Sequence, residues 1–277
     1  MQKLSENSIG IGVKSVYYDS LLKPDAQIDF CEAHIENFIA GGLHLKYLKQ
    51  IADIMPVTLH GVALSLGGQS APTIEALESR KRIIDIINPV FVSEHAACTF
   101  AGQHLNDLLP ISLNYKTISR LVNHIDKTQS YFKRQILLES LSSYVIFDDD
   151  DMPEAEFLNE IAKQSGCGLL LDINNIYIQE INLQRSTQAF INIIRPEYIK
   201  QYHLAGGEYN AEHNMMIDTH GTNVSCEVMN LYAQIINKIG LRPTLYERDN
   251  NIPPFDDLIK TVHNIRQTHQ EMTVLSC

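Results

Sequence analysis

Short apolar runs rich in β-branched residues recur along the chain and alternate with stretches in which apolar residues follow helical spacing. An apolar run of four to eight residues is typical of a buried strand, and apolar positions three or four residues apart are typical of a helix packed on a sheet. The pattern predicts strands at Ile9–Val13, Ile28–Ala33, Val57–Val62, Val90–Glu94, Ile136–Glu139, Gly168–Ile173, Ile199–His203 and Thr244–Glu247.

Helical periodicity fills most of the intervals between these runs. The run Met152-Pro153-Glu154 indicates a helix start, because a proline in the first turn lacks only an N–H that would have no partner there. The pattern predicts helices at Leu43–Ile54, Thr73–Ile87, Thr117–His124, Glu154–Gln164, Cys226–Ile239 and Phe255–Gln267.

The order of these elements predicts the fold class. Strands that are apolar on both faces are typical of parallel sheets covered by helices. Eight strand–helix units in a chain of 277 residues match the size of a (β/α)8 barrel, an α/β fold. An open, doubly wound sheet is the alternative. Because no linker, composition shift or low-complexity segment divides the chain, we expect residues 1–277 to form a single TIM-like barrel domain.

Polar side chains suited to binding metals follow most of the predicted strands. The carboxyl ends of all strands in a parallel barrel open on one face, where active sites are built. One His or Glu after a strand is ordinarily a loop residue or a helix N-cap. Six in succession predict a dinuclear or polynuclear metal centre, since buried carboxylates and imidazoles need a neutralising cation. These residues are His60, His95, Glu139, Asp172, His203 and Glu247. A nitrogen and oxygen set without thiolate suits iron, manganese or zinc.

Three further polar segments lie in predicted loops. Asp218 and His220, two residues apart in an extended segment, point to one side and could hold another cation. A turn closed by an Asx hydrogen bond is an equally good interpretation. We expect the segment 104–107 to position substrate or to shape a loop, and the acidic run 148–151 to form a solvated loop.

The net charge and the lack of long apolar runs disfavour several classes of function for this protein. The chain has 22 Lys and Arg against 33 Asp and Glu, a net charge of −11, and no basic block. This disfavours nucleic-acid binding, which needs clustered cations. No apolar run reaches the length of about 18 residues that a membrane span needs, and the N-terminus lacks the apolar stretch of a secretion signal. We therefore expect a cytoplasmic protein that binds neither membrane nor nucleic acid.

Known cofactor and cysteine motifs are also missing. The five cysteines, at positions 31, 98, 167, 226 and 277, form no C-x-x-C pair, which disfavours a disulfide framework or a thiolate zinc site. The sequence lacks a complete dinucleotide fingerprint, a P-loop and a nucleophile elbow, so we expect no organic cofactor.

Several longer segments carry a family resemblance. They read EAHIEN (32–37), LHGVALSLG (59–67), SEH (93–95), HLNDLLP (104–110), GCGLLLDINN (166–175) and IDTHG (217–221). In this order, over residues 9–254, the chain resembles the multinuclear non-haem iron-dependent oxidative enzymes, the family that includes MbnB and TglH. The resemblance implies a TIM-like barrel with two to three irons in mixed Fe(II) and Fe(III) states. It also implies dioxygen-dependent modification of a ribosomally made precursor peptide, most often at cysteine, in a heterodimer with a partner protein that binds the leader segment.

The same resemblance implies roles for individual residues. By position, the iron ligands are His60, His95, Glu139, Asp172, His203 and Glu247, and those of a third, more labile iron are Asn175, Asp218 and His220. Glu139, expected to bridge two irons, and Asp172 are the candidate catalytic residues. Two other functions stay open: a metal-dependent sugar isomerase or phosphodiesterase on the same barrel, and a non-catalytic metal-binding partner subunit.

Overall fold

A closed barrel of parallel strands lies at the centre of the computed structural model, which describes residues 3–23, 25–100 and 102–275. The strands are β1 Ile9–Gly12, β2 Phe30–His34, β3 Val57–Gly61, β4 Val92–His95, β5 Cys98–Phe100, β6 His104–Leu109, β7 Leu137–Glu139, β8 Gly168–Asp172, β9 Ile199–Leu204, β10 Glu208–Asn210, β11 Met215–Ile217 and β12 Thr244–Tyr246. Around the barrel the order is β1-β2-β3-β4-β7-β8-β9-β12, and β12 pairs with β1 to close it. The predicted (β/α)8 barrel is confirmed.

Helices surround the barrel and bury one face each against the strands. They are α1 Tyr18–Leu21, α2 Gly42–Ile54, α3 Ile74–Ile87, α4 Tyr115–Phe132, α5 Glu154–Ser165, α6 Ile173–Leu183, α7 Thr187–Ile193, α8 Cys226–Ile239 and α9 Phe255–Leu275. Polar side chains cap several of them: the side chain of Thr73 accepts the backbone N–H of Ala76, and Ser225 accepts that of Val228. Such caps satisfy N–H groups that have no partner within the helix.

Some predicted bounds were wrong. The helix predicted at 117–124 begins at Tyr115 and ends at Phe132, because Asn114 caps its start and its buried face continues through Ile125 and Phe132. The last helix runs on to Leu275. Strand β4 ends at His95. The His95 side chain therefore lies within the strand and not after it.

Two antiparallel hairpins were not predicted. β5 pairs with β6, and β10 pairs with β11. The segment 104–107, expected to position substrate or shape a loop, lies within β6. The side chains of His104 and Asn106, like Cys277, lie outside the described part of the structure. The acidic run 148–151 is a loop as predicted, and Asp150 anchors it by accepting the backbone N–H groups of Leu113 and Phe147.

Apolar and polar residues occupy different layers of the barrel. Successive side chains of a strand point to opposite sides, so one set faces the helices and the other faces the barrel interior. On β9, Tyr202 and Leu204 belong to the apolar core, while Gln201 and His203 are polar and fully buried. The interior of the barrel is thus lined by polar side chains, which include Glu32, Thr58, His60, Gln201 and His203.

Within the described ranges, no helix combines the length and the apolar character needed to cross a membrane. That residues 1–277 form one domain stays a prediction.

Candidate metal centre

A cavity of about 270 Å³ opens at the carboxyl ends of the barrel strands. Parallel pairing sets residues at these strand ends side by side across neighbouring strands: His34 opposite His60, His95 opposite Glu139, and Asp172 opposite His203. Each pair stands at the last or nearly last position of its strands. The barrel register therefore brings together side chains that lie far apart in the sequence.

The first group of potential metal ligands consists of His60, His95 and Glu139. The Nε2 atoms of both histidines lie 3.3 Å from Glu139 Oε2. Their Nδ1 atoms face away from it, His60 toward Ser93 Oγ at 2.7 Å and His95 toward the Gly61 carbonyl oxygen at 3.2 Å. The carbonyl can only accept, so the network assigns the proton of His95 to Nδ1 and leaves Nε2 with a free lone pair.

Burial keeps these two histidines neutral. Loss of hydration lowers the pKa of His95 to about 4 and that of His60 well below its ordinary value. The neighbouring imidazoles, including His203, lower both pKa values further. A neutral imidazole is the form that ligates metals, so both side chains are ready to bind a cation at neutral pH.

The second group consists of Glu139, Asp172 and His203. His203 Nδ1 lies 3.5 Å from Glu139 Oε1, so the two oxygens of Glu139 face different histidines. Burial raises the pKa of Asp172 to about 7 and raises that of Glu139 well above its ordinary value, and neighbouring carboxylates raise both further. Buried carboxylates this close together favour a bound cation or a bound proton.

The third group consists of Asp172, His220 and Glu247. His220 has a positive φ of 47°, a conformation that is uncommon for a residue with a side chain. The backbone N–H groups of Asp249 and Asn250 donate to its carbonyl oxygen and hold the segment in place. The loop after β11 therefore depends on the loop after β12.

Asp218 and Asn175 border this third group. Asp218 Oδ1 lies 2.9 Å from His220 Nε2, but its oxygens also accept hydrogen bonds from Ser142 Oγ and Asn174 Nδ2. Asn175 Nδ2 donates to the Ser140 carbonyl oxygen, and Asn175 lines the cavity. Both residues lie beside the other seven predicted ligands, and the roles of all nine residues as metal ligands stay predictions.

Unpartnered polar atoms test whether this site fits a metal. Among the described residues, Glu139 Oε2, Asp172 Oδ2 and Asn175 Oδ1 are buried and make no hydrogen bond. A buried polar atom without a partner is costly, and cations bound in this site could satisfy these oxygens. The first and second groups share Glu139, the second and third share Asp172, and in each group the ligand atoms lie within 4.8 Å of one another. The site could therefore hold two or three ions, and its nitrogen and oxygen donors suit iron, manganese or zinc.

Sequence reasoning missed other residues of the cavity. His34 and Asp249 form a fourth group with Glu247, and the Lys14 ammonium pairs with Asp249 there. The sequence contains a signal that could have identified His34 and Asp249 as site residues, because His34 ends a strand and Asp249 follows Glu247 by two residues. No sequence pattern marks Tyr144, because it lies in an irregular loop. Its hydroxyl nevertheless accepts the backbone N–H of Asp218.

Comparison with known sequences gives one consistent family. The sequence model described as "RiPP precursor modification enzyme MbnB/TglH/ChrH" matches residues 8–270. A UPF0276 protein of Chromobacterium violaceum is 41% identical over 250 residues, which cover 90% of each chain. A UPF0276 protein of Psychromonas ingrahamii is 39% identical and covers 95% of this chain and 94% of its own.

Comparison with solved structures shows the same barrel. An L-ribulose 3-epimerase superposes with a TM-score of 0.63 over 98% of each chain, at 14% sequence identity. A 3-keto-D-glucoside 4-epimerase from E. coli gives a TM-score of 0.60, at 15% identity, over 94% of this chain and 99% of its own. At such low identity the likeness concerns the fold alone.

Proposed function

This chain belongs to the MbnB/TglH/ChrH family of RiPP precursor modification enzymes. From that membership we propose that it oxidises a cysteine of a ribosomally made precursor peptide, with iron and dioxygen. The proposed cofactor is two to three iron ions in mixed Fe(II) and Fe(III) states. The proposed ligands are His60, His95, Glu139, Asp172, Asn175, His203, Asp218, His220 and Glu247.

The position of Glu139 is the observation that carries this proposal. Its Oε2 faces His60 and His95, while its Oε1 faces His203. A carboxylate placed between two sets of nitrogen donors is suited to bridge two cations. The family resemblance implies two to three irons, and a site suited to more than one ion supports that part of the proposal.

The chain itself would hold, orient and enclose the reacting groups. Hydrogen bonds at Nδ1 keep the Nε2 atoms of His60 and His95 directed at Glu139. Bound iron would supply the redox chemistry, in which electrons leave the peptide and dioxygen is reduced. Asp172 and Glu139, the proposed catalytic residues, would balance the charge of the centre from a buried position that excludes water.

The cavity offers a place for one peptide side chain. Asp107, Leu108 and Tyr144 line it together with seven of the nine proposed ligands, all but Asp172 and His203, and its volume of about 270 Å³ would accept a cysteine side chain but not a folded domain. We propose that the rest of the peptide stays outside the barrel. A partner protein that binds the leader segment in a heterodimer, and a cytoplasmic location, belong to the same proposal and rest on the family resemblance.

The first test is the metal content of protein purified without oxygen, measured by elemental analysis and Mössbauer spectroscopy. We expect two to three irons per chain, with spin-coupled Fe(II) and Fe(III). Zinc, manganese or magnesium alone, with no iron uptake on reconstitution, would contradict the proposal and favour isomerase or phosphodiesterase chemistry.

The second test is turnover. The iron-loaded protein is mixed with dioxygen and a cysteine-bearing precursor peptide encoded beside its gene, and the peptide mass is followed. We expect a mass change that the Cys→Ser peptide does not show. Full biological function of ligand variants that bind no iron would identify a non-catalytic subunit and refute the oxidative proposal.

A further inference from the structure

A buried carboxylate that belongs to none of the proposed metal groups lies beneath the centre, inside the barrel. Glu32, on β2, is 1% exposed. Its Oε2 accepts hydrogen bonds from Thr58 Oγ1 at 2.8 Å and from Gln201 Nε2 at 2.7 Å. Two donors from two different strands thus fix the orientation of this carboxylate.

The other oxygen of Glu32 is aimed at a proposed metal ligand. Glu32 Oε1 lies 2.9 Å from His203 Nε2 and makes no hydrogen bond to any other residue in the described ranges. The opposite nitrogen of the same ring, Nδ1, lies 3.1 Å from Glu247 Oε2 and 3.5 Å from Glu139 Oε1. One edge of His203 therefore faces the metal groups and the other faces Glu32.

We propose that Glu32 is a positioning residue that holds the proton of His203 on Nε2 and so presents Nδ1 to the metal. This inference rests on the proposed function only in taking His203 as a ligand. A neutral imidazole carries one proton, so a ring that binds metal through Nδ1 must be protonated at Nε2. A carboxylate only accepts hydrogen bonds, and Glu32 therefore favours this tautomer over the other.

Gln201 is the other neighbour of Nε2. Its amide nitrogen lies 3.3 Å from His203 Nε2 and donates to Glu32 Oε2. An amide nitrogen only donates, so it does not accept a proton from Nε2. Of the two groups, the Glu32 oxygen at 2.9 Å is the acceptor, and Gln201 acts on His203 by fixing Glu32.

The tautomer can be read directly from the wild-type protein. Zn²⁺, which is diamagnetic, serves as the probe ion in protein labelled with ¹⁵N-histidine. We expect His203, assigned by the signal lost in His203→Gln, to show a proton on Nε2 that is protected from exchange with water. A proton on Nδ1 with metal on Nε2 would overturn the proposal without any Glu32 variant.

Affinity for Zn²⁺ gives a second readout that does not depend on turnover. Loss of a partner of a metal-binding histidine typically lowers metal affinity by about 10- to 100-fold. We expect Glu32→Gln to weaken Zn²⁺ binding by about 10-fold, since an amide oxygen is a weaker acceptor, and Glu32→Leu by about 100-fold. Glu154→Gln makes the same change at a partly buried residue that does not line the cavity, and should bind as the wild type does.

The outcomes separate this inference from the proposed function. Wild-type protein that binds Zn²⁺ with a protected Nε2 proton but takes up no iron would keep the role of Glu32 and refute the iron chemistry. Iron-loaded, active Glu32→Gln and Glu32→Leu proteins with unchanged Zn²⁺ affinity would refute the role of Glu32 alone. If Glu32→Leu does not fold, the Zn²⁺ affinity of Glu32→Gln and the ¹⁵N-histidine spectrum of the wild type still test the role of Glu32.

Discussion

Asp172 Oδ1 accepts the backbone N–H of Asn175 at 2.9 Å, so the residue that ends β8 also caps helix α6. Its second oxygen, Oδ2, is buried without a hydrogen bond among the described residues, and Asp172 belongs to two of the potential metal groups. One carboxylate thus serves the fold with one oxygen and the candidate centre with the other. The two roles can be separated by substitution.

Asp172→Asn should keep the cap and lose metal. The asparagine carbonyl oxygen can still accept from Asn175, so we expect the metal-free stability to stay within about 0.5 kcal/mol of the wild type or to rise, since a crowded charge is removed. Asp172→Ala should cost about 1 kcal/mol through loss of the cap. Urea denaturation of metal-free protein measures this, and equal stability of the two variants would refute the capping role.

Glu139→Ala and His95→Ala should lower the bound iron and abolish turnover, because each removes a donor from a shared group. Elemental analysis and peptide mass spectrometry measure the two effects. Glu154→Gln, on α5, is the control and should keep both metal and activity. Full activity of either alanine variant with reduced metal would show that its residue is not a ligand of the working centre.

Tyr144→Phe should weaken the third metal group selectively. The hydroxyl that accepts the Asp218 N–H at 2.9 Å is lost, at a cost of about 1 kcal/mol to the local structure. We expect faster amide exchange at Asp218 and loss of the most weakly held ion, with the remaining ions retained. The exposed Tyr115 supplies the control Tyr115→Phe. Equal loss of all metal would argue against a separate third site.

Gly206→Ala should destabilise the segment that follows His203. A Cβ there would lie 2.4 Å from the Asn223 carbonyl oxygen and 2.5 Å from that of Thr222, and backbone atoms do not move aside easily. We expect a loss of about 1–3 kcal/mol in the free energy of unfolding. Gly12→Ala is the matched control, because its Cβ would meet nothing closer than Lys14 Cε at 3.7 Å. If Gly206→Ala were as stable as the wild type, the prediction would be wrong, because the backbone at Thr222 and Asn223 would then have moved to make room for the added Cβ.

His269 should make stability depend on pH. Burial lowers its pKa from 6.5 to about 4, and the Tyr232 hydroxyl lies 2.6 Å from its Nε2. The unfolded chain then binds a proton that the folded chain does not, so stability is lost as the pH falls from about 6.5 toward 4. Between pH 7 and 4.5 we expect His269→Gln to lose about 2 kcal/mol less than the wild type in urea denaturation. Equal losses would contradict this.

Much of the architecture and most of the site could be predicted from the sequence. Apolar runs such as Gly168–Asp172 identify strands buried on both faces, and eight of them alternating with helices leave few folds. Because every strand of a parallel barrel ends on the same face, a His, Asp or Glu at a strand end is assigned to the site without any knowledge of distances. The sequence by itself thus determined the barrel and the gathering of His60, His95, Glu139, Asp172, His203 and Glu247.

Tertiary structure alone decided how these side chains face one another. The sequence does not record which oxygen of Glu139 meets which histidine, or that Glu32 contacts His203 from 171 positions away. Nor does it predict that Tyr144, in an irregular loop, holds Asp218. Periodicity reports burial along one element, whereas these contacts depend on barrel register and on loop packing. Both are set by the sum of many weak interactions between distant segments, which leaves no local pattern in the chain.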